Sequence, residues 1–159
     1  MTIQNFNIYT AKGYAGDLVD SGPRVIQTGV LTSASAGFGK GMSRDSGTVA
    51  KGVALGGTAD VFAISQREYN HEAGVRPSTG NDTVYLNSQS VSLIRQGYVY
   101  VQVTNAAVSA GEALSVDTVT GVFSDAANAG TGNAVLTSNV VADEAGLAGD
   151  IIKVRLDIV

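Results

Sequence analysis

Tyr98-Val99-Tyr100-Val101-Gln102-Val103-Thr104 places Val99, Val101 and Val103 at every second position. Side chains on an extended chain point to alternate faces, so the three valines share one face and the stretch reads as a β-strand. Immediately upstream, Ser90-Val91-Ser92-Leu93-Ile94-Arg95 reads as a second strand. Between them Gln96-Gly97 offers a tight connection in which glycine takes positive φ, so the pair reads as a hairpin. Moving outward, short β-like runs recur at Arg24 to Thr32, Val61 to Ser65, Ala113 to Val116, Gly121 to Phe123, Asn133 to Thr137 and Ile151 to Val159. Glycine-rich turns divide them at Gly37 to Gly41, Gly56-Gly57 and Gly130 to Gly132. No stretch joins a capping residue to an apolar stripe of helical period free of glycine, although Val140 to Gly146 reads as one short helical turn. Many short strands separated by turn signals imply an all-β chain, a compact β-sandwich or small β-barrel-like domain.

Composition agrees with that class. The chain has 159 residues, of which 20 are glycine, 44% are hydrophobic and only 15% are charged, so it is long enough for one self-sufficient core. Without cysteine there is no disulfide framework, thiolate nucleophile or Cys-ligated metal. The net charge of −4 provides no excess of cations to neutralise a phosphate backbone, which argues against nucleic acid as a partner. Charge is unevenly spread, with seven Lys/Arg and six Asp/Glu in residues 1 to 80 but three and eight in residues 81 to 159. Met1 to Thr10 lacks the basic and apolar regions of a secretory signal, and no run reaches the ~18 apolar residues that cross a bilayer, so no membrane role is expected.

Residues 1 to 20 differ in kind from the rest. Gln, Asn and Thr separate Ile3, Phe6, Ile8 and Tyr9 before Gly13-Tyr14-Ala15-Gly16, which reads either as an extended N-terminal arm that reaches a neighbour or as an edge strand of the same domain. Residues 21 to 159 then form the β-domain. Setting residue 37 against residue 111 superposes Gly37, Gly47, Gly56 and Val61 on Gly111, Gly121, Gly130 and Val135, an echo compatible with two related β-modules.

Catalytic patterns are weak. His71, the sole histidine, has Glu68 and Glu72 beside it but no second histidine, and reads as part of a solvated loop rather than a metal site. Asp117 with Asp125, or Asp143 with Glu144, could be paired as glycosidase acids on paper, yet no tryptophan is present to stack a sugar. Gly37-Phe38-Gly39-Lys40-Gly41-Met42-Ser43 lacks phosphate-loop spacing, and its glycines suit a barrel corner instead. The expectation is therefore no enzyme, no catalytic residues, no cofactor and no metal.

Three segments carry a resemblance. They are Ala36-Gly37-Phe38-Gly39-Lys40-Gly41-Met42; Val61 to Glu68 followed by Val91 to Val101; and Val108 to Asp117 with Gly121-Val122-Phe123, Gly132 to Val135 and Asp150 to Leu156. Together they resemble the cement or decoration proteins of tailed-bacteriophage capsids. That resemblance implies a protein made in the host cytoplasm and placed on the virion, where it binds the exterior of the major capsid protein shell and stabilises the mature head. It further implies a homo-oligomer, a trimer at local three-fold positions, to which Tyr98 and Tyr100 would contribute unless they cover a second packed layer. The residues expected to bind the partner are Phe6, Ile8 and Tyr9 in the arm, with Tyr69 and Arg76 in a polar loop. The competing reading is an oligomeric all-β adhesin, or a tail or fibre binding module recognising carbohydrate or a receptor.

Overall fold

The computed structural model describes residues 13–19, 22–47, 49–67 and 84–157. Its central element is one uninterrupted strand of 15 residues, β7 (Ser90–Thr104), where a hairpin was expected. Gly97 does take positive φ, at 123°, but it bends β7 from within instead of reversing it. A Cβ at Gly97 would lie 3.3 Å from the Pro23 carbonyl oxygen, so glycine also allows the chain entering the next strand to pass close by.

Two closed rings of strands share β7. The first contains β1 (Val25–Leu31), β3 (Gly41–Arg44), β4 (Gly52–Leu55) and β5 (Ala63–Ser65), in the order β1-β4-β3-β5-β7 and back to β1. The second contains β8 (Ala113–Asp117), β9 (Phe123–Ser124), β10 (Ala134–Ala142) and β11 (Ile151–Leu156), in the order β7-β11-β10-β8-β9 and back to β7. In each ring the first strand in sequence lies parallel to the third, β1 to β4 and β7 to β9, and every other neighbouring pair is antiparallel. Closure leaves the ring strands without the open edges that invite aggregation. A separate pair, β2 (Ser35–Gly37) with β6 (Val84–Leu86), lays Phe38 and Tyr85 against the first ring, their rings edge to face at 5.4 Å.

The fold is therefore all-β, with barrel-like closure. Among the described residues the helical content is a 3-10 turn at Ala126–Asn128, and none is long and apolar enough to cross a membrane. The helical turn expected at Val140 to Gly146 does not form, because Val140–Ala142 completes β10 by pairing with Val154–Leu156 of β11.

A bulge lets β7 serve two cores. Ile94 pairs with Ile26 and Gln96 with Val25, so Arg95 is an extra residue with no counterpart on β1. Val91 and Leu93 face the core of the first ring with Leu31, Met42, Val53 and Ala63. Beyond the change of phase, Ile94, Val99, Val101 and Val103 join Leu114, Val116, Phe123, Ile152 and Val154 in the second. β10 carries its own irregularity between Leu136 and Val141. There the Thr137 hydroxyl donates to the Leu114 and Val140 carbonyls at 2.7 and 3.1 Å, satisfying backbone that the ladder leaves free. Buried Asn139 accepts from the Val61 N–H at 3.0 Å and donates to the Val61 and Asp157 carbonyls at 2.8 and 3.1 Å, clamping the rings together.

Residues 13–19 run antiparallel to β7 in the gap between its β1 and β9 partners. The Gly16 N–H donates to the Tyr100 carbonyl at 2.7 Å, the Tyr100 N–H to Asp17 at 3.0 Å and the Val19 N–H to Tyr98 at 3.1 Å. Tyr98 and Tyr100 are half-buried beneath this segment, with the Tyr100 ring filling the space beside Gly13.

Candidate functional site

The residues expected to bind the partner, Phe6, Ile8, Tyr9, Tyr69 and Arg76, lie outside the described residues, as does His71. Of the acidic residues weighed as catalytic pairs, the carboxylates of Asp117, Asp143 and Glu144 have local partners, whereas Oδ1 of Asp125 is buried without one. Asp117 Oδ1 accepts the Val119 and Thr120 N–H groups at 2.9 and 2.6 Å, and the Thr120 N–H holds its carboxyl below the ordinary range. Asp143 pairs with Lys153, whose ammonium is raised by that hydrogen bond, while Glu144 Oε1 accepts the Lys153 N–H at 2.8 Å. Asp125 is buried and leads into the 3-10 turn, where its carbonyl accepts the Ser115 hydroxyl at 2.7 Å. Among the described residues no three His, Asp or Glu side chains gather as a metal site.

A different cluster emerges on the first ring. Arg44 ends β3, Phe62 immediately precedes β5, and Arg95 is the bulge residue of β7, so three adjacent strands bring them together. The guanidinium carbons of Arg44 and Arg95 lie 4.7 and 4.3 Å from the Phe62 ring centroid, within the range of cation–π attraction. The Arg95 Nε–H also reaches the Phe62 carbonyl at 3.4 Å. Among the described residues neither guanidinium is within ion-pair distance of a carboxylate.

Two depressions meet at Phe62. The first, of about 230 Å³, lies on the first ring, lined by residues of β1, β3, β4 and β7 together with Phe62 and Lys51. The second, of about 380 Å³, lies between Arg44, Thr58, Asp60, Phe62, Arg95 and Asp157. Its acids are engaged elsewhere: Asp60 accepts the Ser138 hydroxyl, and Asp157 pairs with Arg155 at 3.0 Å.

The second ring provides an internal comparison. Beside the turn between the second and third strands of each ring sits an aspartate that accepts turn N–H groups, Asp45 to Gly47 at 3.0 Å and Asp117 to Val119 and Thr120. The depression beside Asp117 is lined by Thr104, Asn105, Thr120, Ser124, Asn128 and other uncharged residues, with no arginine or lysine. The depression on the second ring thus has no cation of its own, the ring's Lys153 and Arg155 standing on β11.

Sequence comparison decides the family. The chain matches, over residues 2–157, the phage cement family described as structural cement protein (E217 gp24/Pam3 gp6). The chain belongs to the phage structural cement protein family. A chain in the solved capsid of Myoviridae phage XM1 shares this cement protein's fold, with a TM-score of 0.67 and 15% identity over 96% of this chain and 95% of that one. Among curated proteins none matches.

Sequence reading did not single out the Arg44–Phe62–Arg95 cluster in this cement protein. Its members are far apart in the chain, and only the order β3-β5-β7 makes them neighbours. Arg95 carried the one available signal, a charge at the point where the apolar alternation of β7 changes phase.

Proposed function

We propose that this cement protein binds the outer surface of the major capsid protein shell in many copies and stabilises the mature head. Of residues 1–20, residues 1–12 serve as the arm that precedes the segment 13–19 laid along β7; residues 21–159 serve as the shell-binding domain with its two rings as related β-modules, and Phe6, Ile8, Tyr9, Tyr69 and Arg76 as contact residues. The family match over residues 2–157 carries this reading. The closed rings agree with it: a load-bearing surface protein benefits from strands with no free edge.

The mechanism is additive. Each copy bridges neighbouring capsomers through modest contacts, and an oligomer, a trimer in this reading, engages several anchors at once. Effective concentration then converts weak single contacts into firm attachment. Purified protein mixed with undecorated heads should bind to saturation and raise the temperature at which heads rupture. Absence of saturable binding would contradict the attachment, and saturation without a shift would contradict stabilisation. Removing residues 1–12 should weaken head binding while leaving the melting profile of the domain intact, as read by occupancy on heads and by circular dichroism; unchanged occupancy would rule out the arm as an anchor.

A further inference from the structure

We infer that the mouth of the second ring binds a calcium ion between Asp125 and Glu112. In the sequence these two acids stand apart and no metal is expected; only the pairing of β8 with β9 brings them together. The ion goes beyond the shell-binding role and can be measured on the protein alone.

The Asp125 carboxylate is the unusual group. Asp125 is only 6% exposed, and no donor among the described residues reaches its buried Oδ1. It opens the 3-10 turn Ala126–Asn128, where an aspartate ordinarily turns back to accept an N–H of the turn, yet its side chain makes no such cap. The backbone at Asp125 is extended, with φ −62° and ψ 162°, so the residue continues the alternation of β9. Its side chain therefore turns the same way as that of Phe123, toward the core of the second ring. The neighbouring polar groups satisfy one another instead. The Ser115 hydroxyl donates to the Asp125 carbonyl at 2.7 Å and lies 2.7 Å from the Ser124 hydroxyl, which accepts from Asn128 Nδ2 at 3.1 Å. Ser124 must then donate to Ser115, and neither hydroxyl has a proton left for the carboxylate.

Glu112 brings the second carboxylate. It precedes β8 and lies two residues before Leu114, another core residue of this ring. Its Oε1 accepts the Ala126 N–H at 2.9 Å, so the two carboxylates meet at the peptide that joins Asp125 to Ala126. Its Oε2 accepts the Ser109 N–H at 2.8 Å. Those bonds hold the Glu112 carboxylate in place and leave each oxygen a second lone pair. Among the described residues neither acid has a cationic partner: Lys153 is with Asp143 and Arg155 with Asp157.

A buried carboxylate without a donor is among the costliest groups a core can hold, and a cation beside it removes that cost. The ligands are hard oxygens, which suit calcium or magnesium rather than softer metals. Calcium fits better. It accepts irregular shells of oxygen and completes them with water, whereas magnesium demands a near-ideal octahedron and gives up its waters reluctantly, as contact with a buried oxygen requires. Two carboxylates make a weak site, with a Kd on the order of 10⁻⁴–10⁻³ M. The ion fastens the turn after β9 to the start of β8 and so stabilises the mouth of the ring.

Thermal melting of the full chain, stripped with a chelator and then titrated with calcium chloride, tests this. The midpoint should rise by about 3–6 °C at ~10 mM calcium. Magnesium chloride should do less, and sodium chloride at equal ionic strength should not reproduce the rise. Calorimetric titration should find one calcium per chain. Asp125→Asn and Glu112→Gln, each of which keeps the shape of its side chain, should abolish both the shift and the saturable heat. Asp143→Asn, which removes a carboxylate paired with Lys153, should keep them. Circular dichroism identifies the folded variants; should Asp125→Asn fail to fold, Glu112→Gln decides. Wild type without a calcium-specific shift or saturable heat would overturn the inference. So would a response that survives in folded Asp125→Asn or Glu112→Gln, or one that is lost in Asp143→Asn. The shell-binding role stands or falls separately, on saturation of undecorated heads.

Discussion

At the scale of single residues, buried polar side chains replace backbone pairing wherever the strands depart from regularity. Asn139 satisfies both main-chain groups of Val61 and the carbonyl of Asp157, so Asn139→Leu should lower stability by about 2–3 kcal/mol in a urea titration, since unpaired buried groups each cost roughly 1–3 kcal/mol. Asp45 and Asp117 act on the turns. The Thr32 hydroxyl and the Gly47 N–H lower the Asp45 carboxyl, as the Thr120 N–H lowers Asp117. A carboxyl depressed in the folded state contributes its stabilisation above the unfolded value, near 4, and loses it as pH falls through the folded one. Thermal melts taken from pH 7 downward should therefore drop below about pH 4, and Asp117→Asn should flatten part of that drop. None of these partners is legible in the sequence: Asn139 and Asp117 look like ordinary turn and surface residues until the strands that surround them are known.

Among the elements, β7 decides the architecture. Its alternation was readable from Val99 to Val103, and so was the strand character of Val91 to Ile94. The connection was misread because glycine at positive φ looks alike in a turn and in a bent strand; what distinguishes them is the pairing of both halves with partners on either side. Gly97→Val should destabilise the protein by about 1–3 kcal/mol, the usual cost of a side chain forced into a sparsely populated backbone region, measured as a shift in urea midpoint. Gly121, at φ 64°, is tighter still, since an added Cβ would lie 2.4 Å from the Gly41 carbonyl oxygen where the two rings touch. Gly121→Ala should accordingly cost more than Gly97→Ala in the same titration. Strands as short as Ser35–Gly37 and Val84–Leu86 escaped sequence reading for a physical reason: three residues show no period, and only their pairing with each other holds them in place.

Taken whole, the molecule is a pair of rings that cannot separate, because β7 belongs to both and Asn139 bridges them. Unfolding should be a single cooperative transition, with far-ultraviolet circular dichroism and tyrosine fluorescence tracing the same curve; two resolved steps would mean that the rings melt independently. The all-β class was legible because hydrophobic period survives in short segments, and the cement resemblance because its strand-and-turn segments span most of the chain. Barrel-like closure was among the expected architectures, but the order of strands in each ring and the Arg44–Phe62–Arg95 groove were not legible, since both arise from which strands become neighbours. Imaging of intact phage particles shows directly whether the protein covers a capsid shell: density of this two-ring shape should repeat at equivalent positions on the exterior of mature heads, and complete heads with no such density outside the shell would contradict that role.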